Sequence, residues 1–466
     1  MAYQNQKLEE FKTYIKNKKV AIIGMGVSNI PLLDYMHTLE AKVTIFDKRE
    51  EEKLDAIAIT KINDYGFSYS LGENYMQNLK GFDIIFRSPS CRPDVPEIEE
   101  EVKRGAILTS EIEMLIDLCP GKIIGITGSD GKTTTTSLVY EMVKAQGYKA
   151  YLGGNIGIPL FTRIDEMEPE DIIVLELSSF QLMTMKKSPD IAIITNIEPN
   201  HLDIHKNYEE YIECKKNIFL YQDKNGIVVF NYDNQITREC AKEAKGKVVF
   251  FSSKNRLEDG YIYDEGVIKI CKEGLRKHVI STKDVTLRGV HNYENICTAM
   301  AATASLVDIN TQVQVAASFK GVEHRLELVR KIDGVKWYND SIGTSPSRTI
   351  AGLHSFEEPI ILIAGGYDKH LDYTPIAQPI VKNVRSLILM GATADKIEKA
   401  VQNELKKENK TMDIFRCKNL QETVNTAYKV ARNGEVVLFS PASASFDLFK
   451  NFADRGNQFK ALVEKI

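Results

Sequence analysis

A glycine-rich turn set between a β-branched apolar run and a threonine-rich segment narrows the possible folds of this chain more than any other feature. It reads Lys122-Ile123-Ile124-Gly125-Ile126-Thr127-Gly128-Ser129-Asp130-Gly131-Lys132-Thr133-Thr134. A buried strand that feeds a helix through such a turn makes a phosphate cradle. Glycines let backbone N–H groups point at phosphate oxygens, the helix N-terminus adds a positive dipole end, and the lysine ammonium meets the β and γ phosphates. The pattern is a variant, GxxGxxGK[ST], because Ile126 stands where the strict GxxxxGK[ST] motif has glycine. A nucleotide's phosphate chain is the expected ligand, with Gly128, Ser129, Asp130, Gly131, Lys132, Thr133 and Thr134 around it and the Thr133 hydroxyl offered to Mg²⁺.

The rest of the chain agrees with an α/β fold class. Short apolar runs alternate with helical periodicity at Val20–Ile23, Lys42–Asp47, Asp83–Phe86, Asp171–Leu175, Ile191–Thr195 and Gly226–Phe230, and again at Val335–Tyr338, Pro359–Ala364, Ser386–Met390 and Glu435–Phe439. That alternation predicts βαβ units and parallel sheets covered on both faces. At 466 residues the chain exceeds one compact core, and about 100–200 residues per domain predicts three. The boundaries are expected near 110 and 321, giving domains 1–110, 111–321 and 322–466. A net charge of −4 supplies no basic field for nucleic acid. The charged N-terminus and the lack of any run of ~20 apolar residues predict neither a signal segment nor a membrane span, hence a cytoplasmic protein. Seven cysteines without a CxxC pair predict reduced thiols rather than a disulfide framework.

Further chemistry collects at predicted strand ends. Glu176, in Leu175-Glu176-Leu177-Ser178-Ser179-Phe180-Gln181, is a carboxylate at the C-terminal end of a buried strand, where ligands of open α/β sheets gather. Thr195-Asn196-Ile197-Glu198-Pro199-Asn200-His201-Leu202-Asp203 follows the next strand. His201 taken alone is an ordinary loop histidine; beside Glu176 and the phosphate loop it becomes a metal-ligand candidate. Lys215 by itself would be a solvated helix lysine. Gly24-Met25-Gly26 with Asp47 at the end of the second strand suits a dinucleotide or another diphosphate nucleotide such as a UDP-sugar. Asn29 replaces the third glycine of that fingerprint.

Along nearly its whole length the chain resembles the Mur ligase family. The resemblance rests on GITGSDGKTTT, GGNIGIP (Gly153–Pro159), LELSSFQL, NHLDIH, the HN-x-x-N of His291 to Asn295, HRLE (His324–Glu327), NDSIGTSP, GGYDKHLDY (Gly365–Tyr373) and SPASASFDLFKNFADRGNQF (Ser440–Phe459), in family order. GGYDK with SPASASFD points to the D-glutamate-adding branch. The resemblance implies an N-terminal Rossmann-like domain for UDP, a central P-loop ATPase-type domain with a parallel sheet, and a C-terminal Rossmann-like domain that holds the incoming amino acid. It implies a small-molecule ligase, a monomer, that activates the carboxylate of UDP-N-acetylmuramoyl-L-alanine as an acyl phosphate for D-glutamate.

Carried over by position, Lys132, Glu176, His201 and Lys215 are the catalytic set, and Thr133, Glu176, His201 and Lys215 hold two Mg²⁺ ions. Lys215 matches a carbamylated lysine. Asn292 and Asn295 match adenine-side positions, and Arg325 and Asp340 contact the nucleotide. Val27, Ser28, Asp47 and Arg49 match the uridine pocket, while Asn155, Ser178 and Gln181 lie near the muramoyl peptide. Thr344, Lys369, Ser445 and Phe452 match the D-glutamate positions. The spacing of Phe446, Phe449 and Phe452 otherwise predicts a buried helix stripe, the reading adopted for Phe449. Three positions depart from the family pattern: Ile342 for lysine, Asp130 for asparagine and Ser90 for glycine. The first removes a phosphate-side cation and the second adds a negative charge near ATP.

Overall fold

A computed structural model describes residues 3–200, 204–369, 371–445 and 448–466. Among them the strands form three sheets. The first has β1 (Lys19–Ile23), β2 (Lys42–Asp47), β3 (Ser68–Leu71), β4 (Ile84–Arg87) and β5 (Ile107–Thr109) in the order β3-β2-β1-β4-β5, all parallel.

The second comprises β6 (Lys122–Thr127), β7 (Ala150–Gly154), β8 (Ile172–Glu176), β9 (Ile191–Ile194), β10 (Ile227–Asn231), β11 (Lys247–Ser252), β12 (Gly260–Asp264), β13 (Val267–Lys272) and β14 (Leu275–Ser281). Its order is β14-β13-β12-β11-β10-β9-β6-β8-β7, parallel except for the antiparallel β12-β13-β14 edge. The third has β15 (Glu327–Ile332), β16 (Val335–Asn339), β17 (Ile360–Ala364), β18 (Val384–Leu389), β19 (Asp413–Arg416) and β20 (Val436–Phe439) in the order β15-β16-β20-β17-β18-β19. Only β15 runs antiparallel to its neighbour there.

The apolar runs are continuous because both faces of these strands are buried. Val20 and Ile22 enter one core cluster and Ala21 and Ile23 another; in the third sheet Ile360 and Leu362 separate from Ile361 and Ile363 in the same way.

The chain divides into two compact units, 1–282 with 294–316, and 283–293 with 317–466. The first and second sheets share the first unit, and Phe161 joins them. Its ring is fully buried and meets Phe11, Tyr35 and Phe86 at centroid distances of 5.8, 5.3 and 6.4 Å. Glu111 opens the helix Glu111–Leu118 and accepts from the Leu160 and Phe161 amides at 2.9 and 2.7 Å, which seats that turn. Burial pushes its carboxyl up to about 7.

In the second unit the expected Phe446–Phe452 stripe is not one helix. The final helix is Phe452–Val463, capped by Asn451 through the Asp454 amide. Asn451 offers the helix a better start than a phenylalanine, and Phe449 packs on the core from the preceding loop. Phe446 lies outside the described residues. All seven cysteines are free thiols, buried or half-buried.

Candidate active site

The C-terminal ends of β6, β8 and β9 lie side by side, with Ile126 paired to Glu176 and Thr127 to Ile194. The phosphate loop leaves β6 through Gly128, whose φ is +151°; a Cβ there would stand 1.8 Å from Thr195 Oγ1. The close approach of the β9 end therefore requires glycine. The helix Lys132–Ala145 starts behind Gly131 with no side-chain cap hydrogen bond, so its first-turn amides stay available to an anion. Lys132 folds back over the loop, donating to Gly128 O and Ser129 O at 3.0 Å each. Thr133 is half-buried and Thr134 is buried.

Side chains distant in sequence shape this loop. Asn196 Oδ1 accepts from the Ser129 and Asp130 amides at 3.1 and 2.9 Å. Ser129 Oγ pairs with Tyr211 OH at 2.9 Å and bonds Glu198 O and the Glu198 amide at 2.8 Å. Sequence reasoning missed Asn196 and Tyr211 as functional residues; the polar run after β9 was the available signal for the first, and the second carried none.

Lys215 corrects the solvated-lysine reading. It is 1% exposed, donates to Gly128 O at 2.8 Å and Thr127 Oγ1 at 3.2 Å, and sits 4.7 Å from the Tyr211 ring centroid. The helix Tyr208–Leu220 turns this position inward beside Tyr211 and Cys214. Burial, reinforced by the Lys132 charge, pulls its amine well below the usual lysine value. Glu176 is also 1% exposed. Its Oε1 accepts from Asn155 Nδ2 at 2.8 Å, and its Oε2 is buried with no hydrogen-bond partner among the described residues. An orphaned carboxylate oxygen beside the phosphate cradle suits a cation. Among the described residues no group of three His, Cys, Asp or Glu side chains converges on a metal position. His201 lies outside the described residues.

Beyond Glu176, Ser178 caps Ser179–Leu182 and forms a reciprocal capping box with Gln181. His205 Nε2 pairs with Ser179 Oγ at 2.9 Å, and its ring stacks on Phe180. At the end of β2, Asp47 accepts from the Met25 amide at 2.7 Å and from the Arg49 amide and guanidinium at 2.7–2.9 Å. Burial raises the Asp47 carboxyl, but these bonds outweigh it and hold the group below the usual carboxylate range. Val27 is exposed and Ser28 half-buried on the turn that follows.

Asn295 stands against Gly131 and accepts from Thr135 Oγ1 at 3.2 Å. Asn292, on the same helix Val290–Thr303, belongs to the second unit and donates to Arg288 O at 2.6 Å. The second unit also carries Arg325, Asp340, Thr344, Lys369, Ser445 and Phe452. Asp340 is buried at the end of β16, accepting from Ser440 Oγ at 2.6 Å and the Leu326 amide at 3.3 Å; burial pushes its carboxyl up to about 6. Ser445 is buried, Arg325 and Thr344 half-buried, and Lys369 and Phe452 exposed.

Three successive parallel-sheet modules with a phosphate loop in the middle one define a nucleotide-dependent ligase of the Mur type. The chain belongs to the Mur ligase family: residues 18–110 match the MurD-like N-terminal domain, 126–303 the middle domain and 324–443 the glutamate ligase domain. A protein of Acetivibrio thermocellus named UDP-N-acetylmuramoylalanine–D-glutamate ligase is 52% identical over 464 residues, 99% of each chain. Its namesake in Ruminiclostridium cellulolyticum is 49% identical over 99% of this chain and 100% of its own. Among solved structures, the UDP-N-acetylmuramate-alanine ligase MurC of Thermotoga maritima aligns over 96% of this chain and 99% of its own, with a TM-score of 0.58 and 18% identity. That likeness shows a shared fold.

Proposed function

We propose that this chain joins D-glutamate to UDP-N-acetylmuramoyl-L-alanine in an ATP-driven reaction of peptidoglycan precursor synthesis. The observation that carries the reading is local: an uncapped phosphate-loop helix, the orphaned Glu176 oxygen and the buried Lys215 amine share one set of strand ends. Full-length relatives of one name, at 52% and 49% identity, support the choice of substrates.

In this reading an oxygen of the L-alanine carboxylate attacks the γ-phosphorus of ATP, and the bridging P–O bond breaks with its electron pair leaving on ADP. The amine of D-glutamate then attacks the acyl carbon; phosphate departs with the acyl C–O pair, and the amine proton passes to solvent. A carboxylate approaching a triphosphate meets like charge, each unit pair at ~4 Å repelling by about 4 kcal/mol at an effective dielectric near 20. Lys132 and the first-turn amides of its helix lower that repulsion and hold the γ-phosphate in line. Mg²⁺ bound by Thr133, Glu176, His201 and Lys215 would add charge neutralisation at the phosphates.

For Lys215 that role requires a carbamate. The neutral amine, favoured by burial, attacks CO₂; an N–C bond forms, one C=O pair moves to oxygen, and a proton leaves. The site residues assigned by resemblance complete the reading: Asp47, Arg49, Val27 and Ser28 for uridine, Asn155, Ser178 and Gln181 for the muramoyl peptide, and Asn292, Asn295, Arg325 and Asp340 for the nucleotide. Thr344, Lys369, Ser445 and Phe452 would take D-glutamate, whose two carboxylates call for a lysine plus hydroxyl and backbone donors. We assign the three modules to 1–110, 111–321 and 322–466, and a cytoplasmic monomer as the working form. Among the described residues no helix is long and apolar enough to cross a membrane.

Phosphate release measured with ATP, Mg²⁺ and UDP-N-acetylmuramoyl-L-alanine, with and without D-glutamate, tests the reading. Release that requires all four components supports it. Release with another amino acid but not D-glutamate would overturn it.

A further inference from the structure

Arg87 ends β4 and is 1% exposed, and its hydrogen bonds run to neutral acceptors, with the buried Glu113 carboxylate acting on it through space. Burying a guanidinium is costly, and an apolar side chain would pack the same space more cheaply. What the guanidinium adds is a rigid planar fork that can hold several acceptors in fixed relation. One arm reaches back to its own loop, Nη1 donating to Cys91 O at 2.8 Å and Ser88 O at 3.3 Å. The other arm crosses to the second sheet's module, Nη2 donating to Phe180 O and Thr184 Oγ1 at 3.0 Å each.

Both anchor points belong to opposite ends of the proposed substrate path. The Ser88 amide donates to Ile23 O at 2.9 Å, and Ser88 Oγ would lie 2.6 Å from a Cβ on Gly24, so this loop underlies the glycine turn that Asp47 organises. Phe180 and Thr184 flank Gln181, which is locked to Ser178 by the capping box just beyond Glu176. A shift in Arg87 therefore changes the separation between the nucleotide end and the acyl end of the site without touching either.

We propose that Arg87 is a positioning residue that sets the span between the uridine-side turn and the muramoyl-peptide segment. The proposal rests on the functional reading above. Lysine keeps the charge but cannot bridge both segments, so Arg87→Lys is the informative variant; Thr184→Val removes one cross-module bond, together with the Thr184 bond to the Glu113 carboxyl, while leaving the buried cation in place.

The test measures three quantities on wild type and both variants: the inhibition constant of UDP alone, KM and kcat for the full UDP-N-acetylmuramoyl-L-alanine, and the melting temperature. UDP occupies one end only and is indifferent to the span, whereas the full substrate must satisfy both ends. In R87K the UDP constant is expected to stay within twofold of wild type while kcat/KM for the full substrate falls about 100-fold, the loss a misplacement of about 1 Å brings. T184V is expected to fall about tenfold in the same pattern, and it carries the test alone should R87K fail to fold. A rise in the UDP constant that matches the loss on the full substrate, or no loss on the full substrate, overturns the proposal. Wild type that does not turn over the full substrate with D-glutamate defeats the functional reading and this inference together; an active wild type with unmoved variants defeats the inference alone.

Discussion

Replacing Asp47 by asparagine tests whether one buried carboxylate organises the nucleotide end of the site. Four donor contacts converge on it: the Met25 amide at 2.7 Å, the Arg49 amide at 2.9 Å, and Arg49 Nε and Nη2 at 2.9 and 2.7 Å. If asparagine keeps its oxygen toward the Arg49 amide and Nε, its NH₂ faces the Met25 amide and Nη2, donor against donor. Arg49 Nη2 retains Met25 O at 2.9 Å, so its loss is small. Met25 is 1% exposed, and an unpaired buried N–H costs about 1–3 kcal/mol. Loss of the charge-assisted bonds to a half-exposed arginine adds about 1 kcal/mol. The expected total is roughly 2–4 kcal/mol, placed on the Gly24–Gly26 turn.

Hydrogen exchange across β1 and β2 should report that loss as weaker protection, and KM for the UDP substrate should rise at least tenfold with D-glutamate KM unchanged. The pH dependence has a fixed sign. A carboxylate held below its unfolded value contributes stability that is complete above about pH 4 and is lost as pH falls through the lower folded value. The gap between wild type and Asp47→Asn should therefore be constant from pH 5 to 8 and close below pH 4. Unchanged protection together with unchanged KM would refute the reasoning.

Lys215→Ala should abolish amide formation while leaving the melting temperature within a few degrees, because the desolvation cost of burying the amine offsets the bonds it makes; short carboxylic acids at high concentration should restore part of the activity, and full activity in the variant would remove the carbamate from the scheme. Phe161→Ala empties a fully buried ring site touching three aromatic rings and should cost about 3–5 kcal/mol in urea unfolding of the first unit, against under about 2 for Phe161→Leu. Asp340, whose folded value is raised to about 6, binds its proton more tightly folded than unfolded, so its contribution weakens as pH rises from about 4 to about 6. Asp340→Asn should therefore gain stability relative to wild type over that window, measured by melting at pH 4, 5, 6 and 7; a gap that narrows as pH rises would contradict the burial argument.

The strands buried on both faces were legible because a run such as Ile360–Ala364 carries its own evidence of double burial. The edges were not. β3 reads Ser-Tyr-Ser-Leu, β7 ends in two glycines, and β14 is mostly exposed and polar, so none shows the apolar run expected of a strand. Their assignment depends on a neighbour that supplies hydrogen bonds, which no local pattern records.

The chemistry-bearing motifs were fixed locally, since a glycine turn between strand and helix makes the same cradle wherever it occurs. Tertiary structure alone decided what surrounds them. Asn196 reaches the loop across 67 residues, Tyr211 reaches Ser129 across 82, and Arg87 reaches Phe180 across 93. Lys215 is the clearest case, an unremarkable helix lysine in sequence and a desolvated amine in the fold. Periodicity tells which face of a helix turns inward, but the solvation of one side chain depends on everything that closes over it.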